Sequence, residues 1–182
     1  MININHITWL LDLQKATNVA YFGEEWKARW TPVAAQNSVY REWAEFLDEV
    51  TVDWKFYGDG IHMHHDAAVY EMVDVVHFML SVILAGYGSA LPVEFQLDVW
   101  KETQVEIEKV DLEQVTTSFT RFMRDSSMRT FSLFLADACG YLDLDIDTYM
   151  LAHKRKNDRN RLRAAGGADY DKSAETPLTL EF

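Results

Sequence analysis

The stretch "AAVYEMVDVVHFMLSVILA" (67–85), wound as a helix, is apolar around almost its whole circumference, yet it carries Glu71 and Asp74 one turn apart. A helix of that composition belongs inside a protein. A buried carboxylate without a partner costs several kcal/mol, so both acids need company. Cations are scarce nearby, since the nearest Lys and Arg in sequence are Arg41 and Lys55. The preceding segment "REWAEFLDEVTVDWKF" (41–56) adds more acid instead: Glu42, Glu45, Asp48 and Glu49 among Trp43, Phe46, Leu47 and Val50. At the helical repeat, Glu42, Glu45 and Glu49 fall within about 60° on one face, with Asp48 to the side. Two acidic faces turned toward each other repel unless a cation lies between them. All-oxygen ligation favours Mg²⁺, with Mn²⁺ as a substitute, over Zn²⁺. The competing reading is a solvated acidic face, and the apolarity of 67–85 argues against it.

The bulk numbers set the frame. The chain has 182 residues, 48% hydrophobic and 13% aromatic, enough for one domain with a real core. Three Pro and eight Gly speak against a turn-rich β architecture. A net charge of −12 disfavours nucleic acid as a partner, and a phosphate-bearing ligand would need a divalent cation or a local basic patch. The single cysteine, Cys139, lies in "LFLADACGYL" and reads as a packed, inert thiol. The N-terminus "MININHITWLLDLQK" lacks the pattern of a signal peptide. The run 75–88 is too short for a membrane span and includes a His. The expectation is a soluble, cytoplasmic protein with no membrane partner.

Helical periodicity dominates and no alternating strand pattern stands out, which predicts an all-α helical bundle. Helices are expected over 3–22, 36–54, 67–85, 93–109, 111–124, 127–140 and 145–165. The first places Ile7, Leu10, Leu11, Gln14 and Asn18 near one face. Asn37 or Ser38 would cap the second, Asp66 the third, and Gly166-Gly167 would stop the last. Residues 23–35 read as a loop, 57–66 as a turn and 168–182 as a flexible tail, leaving 1–167 as the domain. Two further clusters stand out. "HKRKNDRNRLR" (153–163) holds six of the seventeen Lys and Arg and reads either as a solvated basic face or as a phosphate clamp. "HMHH" (62–65) has no companion ligands nearby in sequence and reads as surface loop.

Taken together, "LQKATN" (13–18), "EWAEFLD", "DWK", "EMVDVVHFMLS" and "KRKNDRNRLR" resemble the all-α dimeric dUTPase family of the all-α NTP pyrophosphatase superfamily, whose signature is ExxE followed by ExxD. The matches bracket residues 13 to 163 but leave 88–140 unrecognised, and "AAGGADYD" stands where the family has an N-G-Y-type ending. The resemblance implies a homodimer that hydrolyses dUTP to dUMP and pyrophosphate with Mg²⁺. By motif position it implies Glu42, Glu45, Glu71 and Asp74 as metal ligands, with Glu45 also activating the attacking water. It further implies Lys55, Lys156, Asn157 and Arg163 as phosphate contacts, and Gln14 and Asn18 as base contacts. An amide matches the N3–H and O4 of uracil, or when flipped the N3 and N4 of cytosine. Phage relatives of the family act on dCTP as well as dUTP. The alternatives are therefore a dCTPase, a MazG-like pyrophosphatase of broader range, or a non-catalytic helical binding protein.

Overall fold

The computed structural model describes residues 1–87, 92–167 and 170–181. Among the described residues the helices are α1 (Ile4–Phe22), α2 (Trp26–Arg29), α3 (Pro32–Glu49), α4 (His65–Ala85), α5 (Val93–Trp100), α6 (Leu112–Asp125), α7 (Met128–Tyr141) and α8 (Ile146–Gly166). Short 3₁₀ turns cover Thr51–Asp53 and Lys172–Ala174. Among the described residues, extended pairing is confined to one antiparallel bridge between Ile2 and Val105. The architecture is the all-α bundle that the sequence predicts.

The helix ends follow local chemistry. Asn3 caps α1 by accepting from the backbone N–H of Asn5 and His6, and His6 Nδ1 accepts in return from the Asn3 N–H. α3 begins earlier than expected because Thr31 caps it and Pro32 occupies its first turn, where a missing N–H costs nothing. α4 begins at His65 without a side-chain cap. Asp66, expected as that cap, lies in the first turn and accepts instead from the Leu180 N–H. Gly86 ends α4 at φ 80°, a left-handed position that suits glycine. The helix expected over 93–109 stops at Trp100. Beyond it Val105 leaves helical geometry to pair with Ile2, so a tertiary contact overrides local propensity.

α4 is the axis of the molecule and packs against α1, α3, α7 and α8. Val69, Met72, Val73, Val75, Val76, Met79 and Leu80 expose no surface. With 21 residues the helix has the length and apolarity of a membrane span, but 72% of its most apolar window is buried inside the bundle. The Cys139 thiol is fully buried, and that burial raises its pKa, as an inert thiol requires.

The tail, expected to be flexible, docks where it is described. Tyr70 donates its hydroxyl to the Thr179 carbonyl, and Arg155 and Arg159 donate to the carbonyls of Thr179, Glu181 and Thr176. Leu178 and Leu180 lie partly buried against the core. The basic face of α8 is thus partly spent on the chain's own C-terminal segment.

One close approach in this packing is testable. A Cβ on Gly140 of α7 would overlap the backbone carbonyl of Glu108, which no side-chain rotation relieves. Gly140→Ala should therefore destabilise the fold by about 1–3 kcal/mol. Thermal unfolding should show a Tm roughly 2–12 °C lower, and an unchanged Tm would mean that this approach is not tight.

Candidate active site

α3 buries Ala35, Val39, Trp43 and Phe46 in the core, which leaves Glu42, Glu45 and Glu49 on its flank, half-buried. α3 lies along α4, so that flank meets the Glu71 side of α4. One oxygen each from Glu42, Glu45 and Glu71 lies within 4.8 Å of the others. Burial, then the charges of Asp74, Glu45 and Glu71, push the Glu42 carboxyl up to about 7 against the weaker pull of Arg41. Glu71 is raised as well, by burial first, with Lys156 opposing and the surrounding acids adding to it. These are the signs of anions crowded together, with Arg41 and Lys156 only partly offsetting their charge. An all-oxygen set of this kind fits a hard divalent cation.

Asp74, expected as the fourth ligand, has other partners. Lys156 Nζ lies 2.7 Å from Oδ2, and His77 Nδ1 lies 3.1 Å from Oδ1. Burial alone would raise its pKa, but the His77 hydrogen bond and the Lys156 charge outweigh burial and hold it low. Behind it runs a buried relay. Asn157 Nδ2 donates to His77 Nε2 at 2.6 Å, and the Thr17 hydroxyl donates to Asn157 Oδ1. His77 thus receives at Nε2 and gives at Nδ1, which fixes its tautomer. His153 lies edge-on to His77 with ring centroids 4.4 Å apart, and burial, then His77, push its pKa well below the usual histidine value.

A cavity of about 330 Å³ opens beside these groups, and its wall includes Gln14, Asn18, Trp30, Glu42, Asp74 and Arg163. A wider depression of about 490 Å³ along α6, at Thr116, Thr120 and Arg121, includes none of the clustered acids. Ser81 gives its hydroxyl proton to the His77 carbonyl, so its lone pairs accept from Gln14 Nε2 at 3.1 Å and Asn18 Nδ2 at 3.0 Å. Gln14 Nε2 also donates to Asn18 Oδ1 at 2.9 Å. A flipped Gln14 would set oxygen against oxygen, so the amide is locked. Gln14 Oε1 is left buried with no hydrogen-bond donor among the described residues. Such an acceptor suits a ligand N–H. Trp30 and Phe78 stack at 5.7 Å and 20° in the same wall.

The other expected site residues are placed as follows. Arg163 borders the cavity and is held bidentately by Glu175 at 2.7 and 2.6 Å. Asn157 is fully buried behind His77. Lys55 donates to the Asp59 carbonyl at 3.0 Å and is absent from the cavity wall. Arg41 donates to Glu45 Oε1 at 3.0 Å from the exposed side of α3. His77, Ser81 and Thr17 were not singled out as site residues from sequence. The spacings Asp74–His77 and His77–Ser81, one turn each along a buried helix, were the available signal.

No curated protein matches the chain. A family model described as dUTPase matches residues 6–167, from the first turn of α1 to just past the end of α8. The chain belongs to the dUTPase family, hydrolases that act on nucleoside triphosphates.

Proposed function

We propose that the chain hydrolyses dUTP to dUMP and pyrophosphate as a Mg²⁺-dependent homodimer in the cytoplasm. The observation that carries the reading is the cluster of Glu42, Glu45 and Glu71 oxygens within 4.8 Å of one another, beside a cavity that Glu42 shares with Gln14 and Asn18. These three carboxylates would hold the metal, with Asp74 joining them at the cost of its Lys156 contact. Bound there, Mg²⁺ would neutralise triphosphate charge in this acidic protein and acidify a water.

The residues supply the remainder. Glu45 accepts the proton of the attacking water, a role typically worth about 10²- to 10⁴-fold. Lys156 and Arg163 sit on carboxylates, Asp74 and Glu175, at positions that phosphate oxygens would take over. Lys55 would reach phosphate only after leaving the Asp59 carbonyl. Asn157 serves by bracing His77 rather than by touching phosphate. Gln14 Oε1 accepts the N3–H of uracil, and the stacked Trp30 and Phe78 offer a flat wall for the base. The amine of cytosine is also a donor, so dCTP is the competitor to test.

Pyrophosphate release from each dNTP, with and without Mg²⁺, tests the reading. The expected result is dUTP turnover that needs the metal; faster turnover of dCTP would reassign the substrate. Glu45→Gln should lose about 10²- to 10⁴-fold in kcat with unchanged circular dichroism. Activity within a few-fold of wild type would remove Glu45 as the base.

Stability against pH tests the metal-free cluster. The Glu42 carboxyl is raised from 4.5 to about 7 in the folded state, so the fold holds a proton there that the unfolded chain has released. Its contribution is complete below about 4.5 and is lost as pH rises to about 7. Metal-free wild type should therefore lose Tm between about pH 5 and 7 relative to Glu42→Gln, and Mg²⁺ should abolish that loss. Parallel curves without metal would mean that the cluster carries no such strain.

A further inference from the structure

We infer that Glu49, His62 and His64 form a second cation site, for a Zn²⁺-class transition metal, separate from the all-oxygen cluster. Ligand atoms of the three lie within 4.8 Å of one another. None belongs to the Glu42, Glu45 and Glu71 set. Glu49 ends α3, and the two histidines arrive from the connection to α4, 13 and 15 residues further on. The sequence hides this because the carboxylate companion of "HMHH" lies on the preceding helix.

The connection is built to hold the imidazoles in place. The His64 N–H donates to the Glu49 carbonyl at 2.9 Å, and the Val52 N–H donates to the His62 carbonyl at 3.0 Å. Thr51 Oγ1 accepts from the His62 N–H at 2.9 Å and donates to the Gly60 carbonyl at 3.1 Å. His62 Nδ1 lies 2.9 Å from that same carbonyl, so it carries the proton and leaves the Nε2 lone pair for a ligand. A ligating histidine is commonly fixed in this way by a backbone carbonyl on its other nitrogen. The rings of His62 and His64 stack at 4.0 Å and 23°, which holds the two imidazoles side by side. His64 Nδ1 donates to Glu49 Oε2 at 2.9 Å, a hydrogen bond that a metal would replace, and the His64 side chain is 61% exposed, so an ion can reach it.

The donor set decides the metal. Two imidazole nitrogens and one carboxylate oxygen suit Zn²⁺, Co²⁺ or Ni²⁺, whereas Mg²⁺ takes oxygen. Three protein ligands leave positions for water. Such an ion would fasten the end of α3 to the start of α4, the two helices that carry the clustered acids. The inference does not depend on which nucleotide the chain hydrolyses.

The test uses chelator-treated full chain in saturating Mg²⁺, titrated with Co²⁺ and followed by its visible d–d absorption. The expected result is one Co²⁺ per chain that Mg²⁺ does not displace, with a raised Tm. His62→Ala and His64→Ala should each weaken that binding by about tenfold or more, while Mg²⁺-dependent turnover remains. Binding that is equal in both variants, or that Mg²⁺ displaces, overturns the site. A third measurement needs no variant. Zn²⁺ added to the ¹⁵N-labelled wild type should shift the His62 and His64 ring nitrogens first, and shifts confined to other histidines would count against the proposal.

Discussion

The molecule turns on a repulsion. Glu42 and Glu45 on α3 and Glu71 on α4 are held with their oxygens within 4.8 Å of one another, although nothing in their own chemistry favours it. The apolar packing of the two helices imposes the arrangement. Trp43 and Phe46 anchor one side of α3, and the fully buried Val and Met residues of α4 fix the other. Hydrophobic burial of that extent stabilises far more than three partly solvated carboxylates destabilise. The raised Glu42 and Glu71 carboxyls record the strain that is left. A divalent cation held there would relieve it, so that folding would prepare the site for binding.

Beside the repelling acids stands a set of satisfied ones. Thr17, Asn157, His77, Asp74 and Lys156 form a continuous hydrogen-bonded line that joins α1, α8 and α4. Ser81 and His77 lie one turn apart on α4, so the locked Gln14 and Asn18 amides and the Asp74 carboxylate take their positions from the same helix. The residues proposed for base and phosphate are thereby tied to one helix. If the proposed base contacts hold, that shared support is the preorganisation a hydrolase needs to discriminate between bases. With Gln14 Nε2 and Asn18 Nδ2 both on Ser81, Gln14 Oε1 is left buried with no donor among the described residues.

What could be read without coordinates was whatever repeats at helical spacing. The buried face of α1, Ile7, Leu10, Leu11, Gln14 and Asn18, was legible, and so were the paired acids and the all-α class. What escaped depends on contacts far apart in the chain. Asn157 and His77 are separated by 80 positions, and Thr17 and Asn157 by 140, so neither role has a local signal. The basic run of α8 reads from sequence as either a solvated face or a phosphate clamp, and its present partners, the C-terminal segment for Arg155, Arg159 and Arg163 and Asp74 for Lys156, are equally beyond local reading. The early end of α5 and the docking of residues 170–181 have the same origin, because a partner distant in sequence outweighs local propensity.

The central claim is that the three glutamates act together as one cation site. Mn²⁺ uptake by wild type and by Glu71→Gln, read from the free-ion signal in electron paramagnetic resonance and restricted to the Mn²⁺ that Mg²⁺ displaces, tests it most directly. The account predicts tight, Mg²⁺-displaceable uptake in the wild type and a marked loss when the α4 carboxylate is removed. Equal uptake by both proteins would contradict it, because ions would then be bound without bridging the two helices.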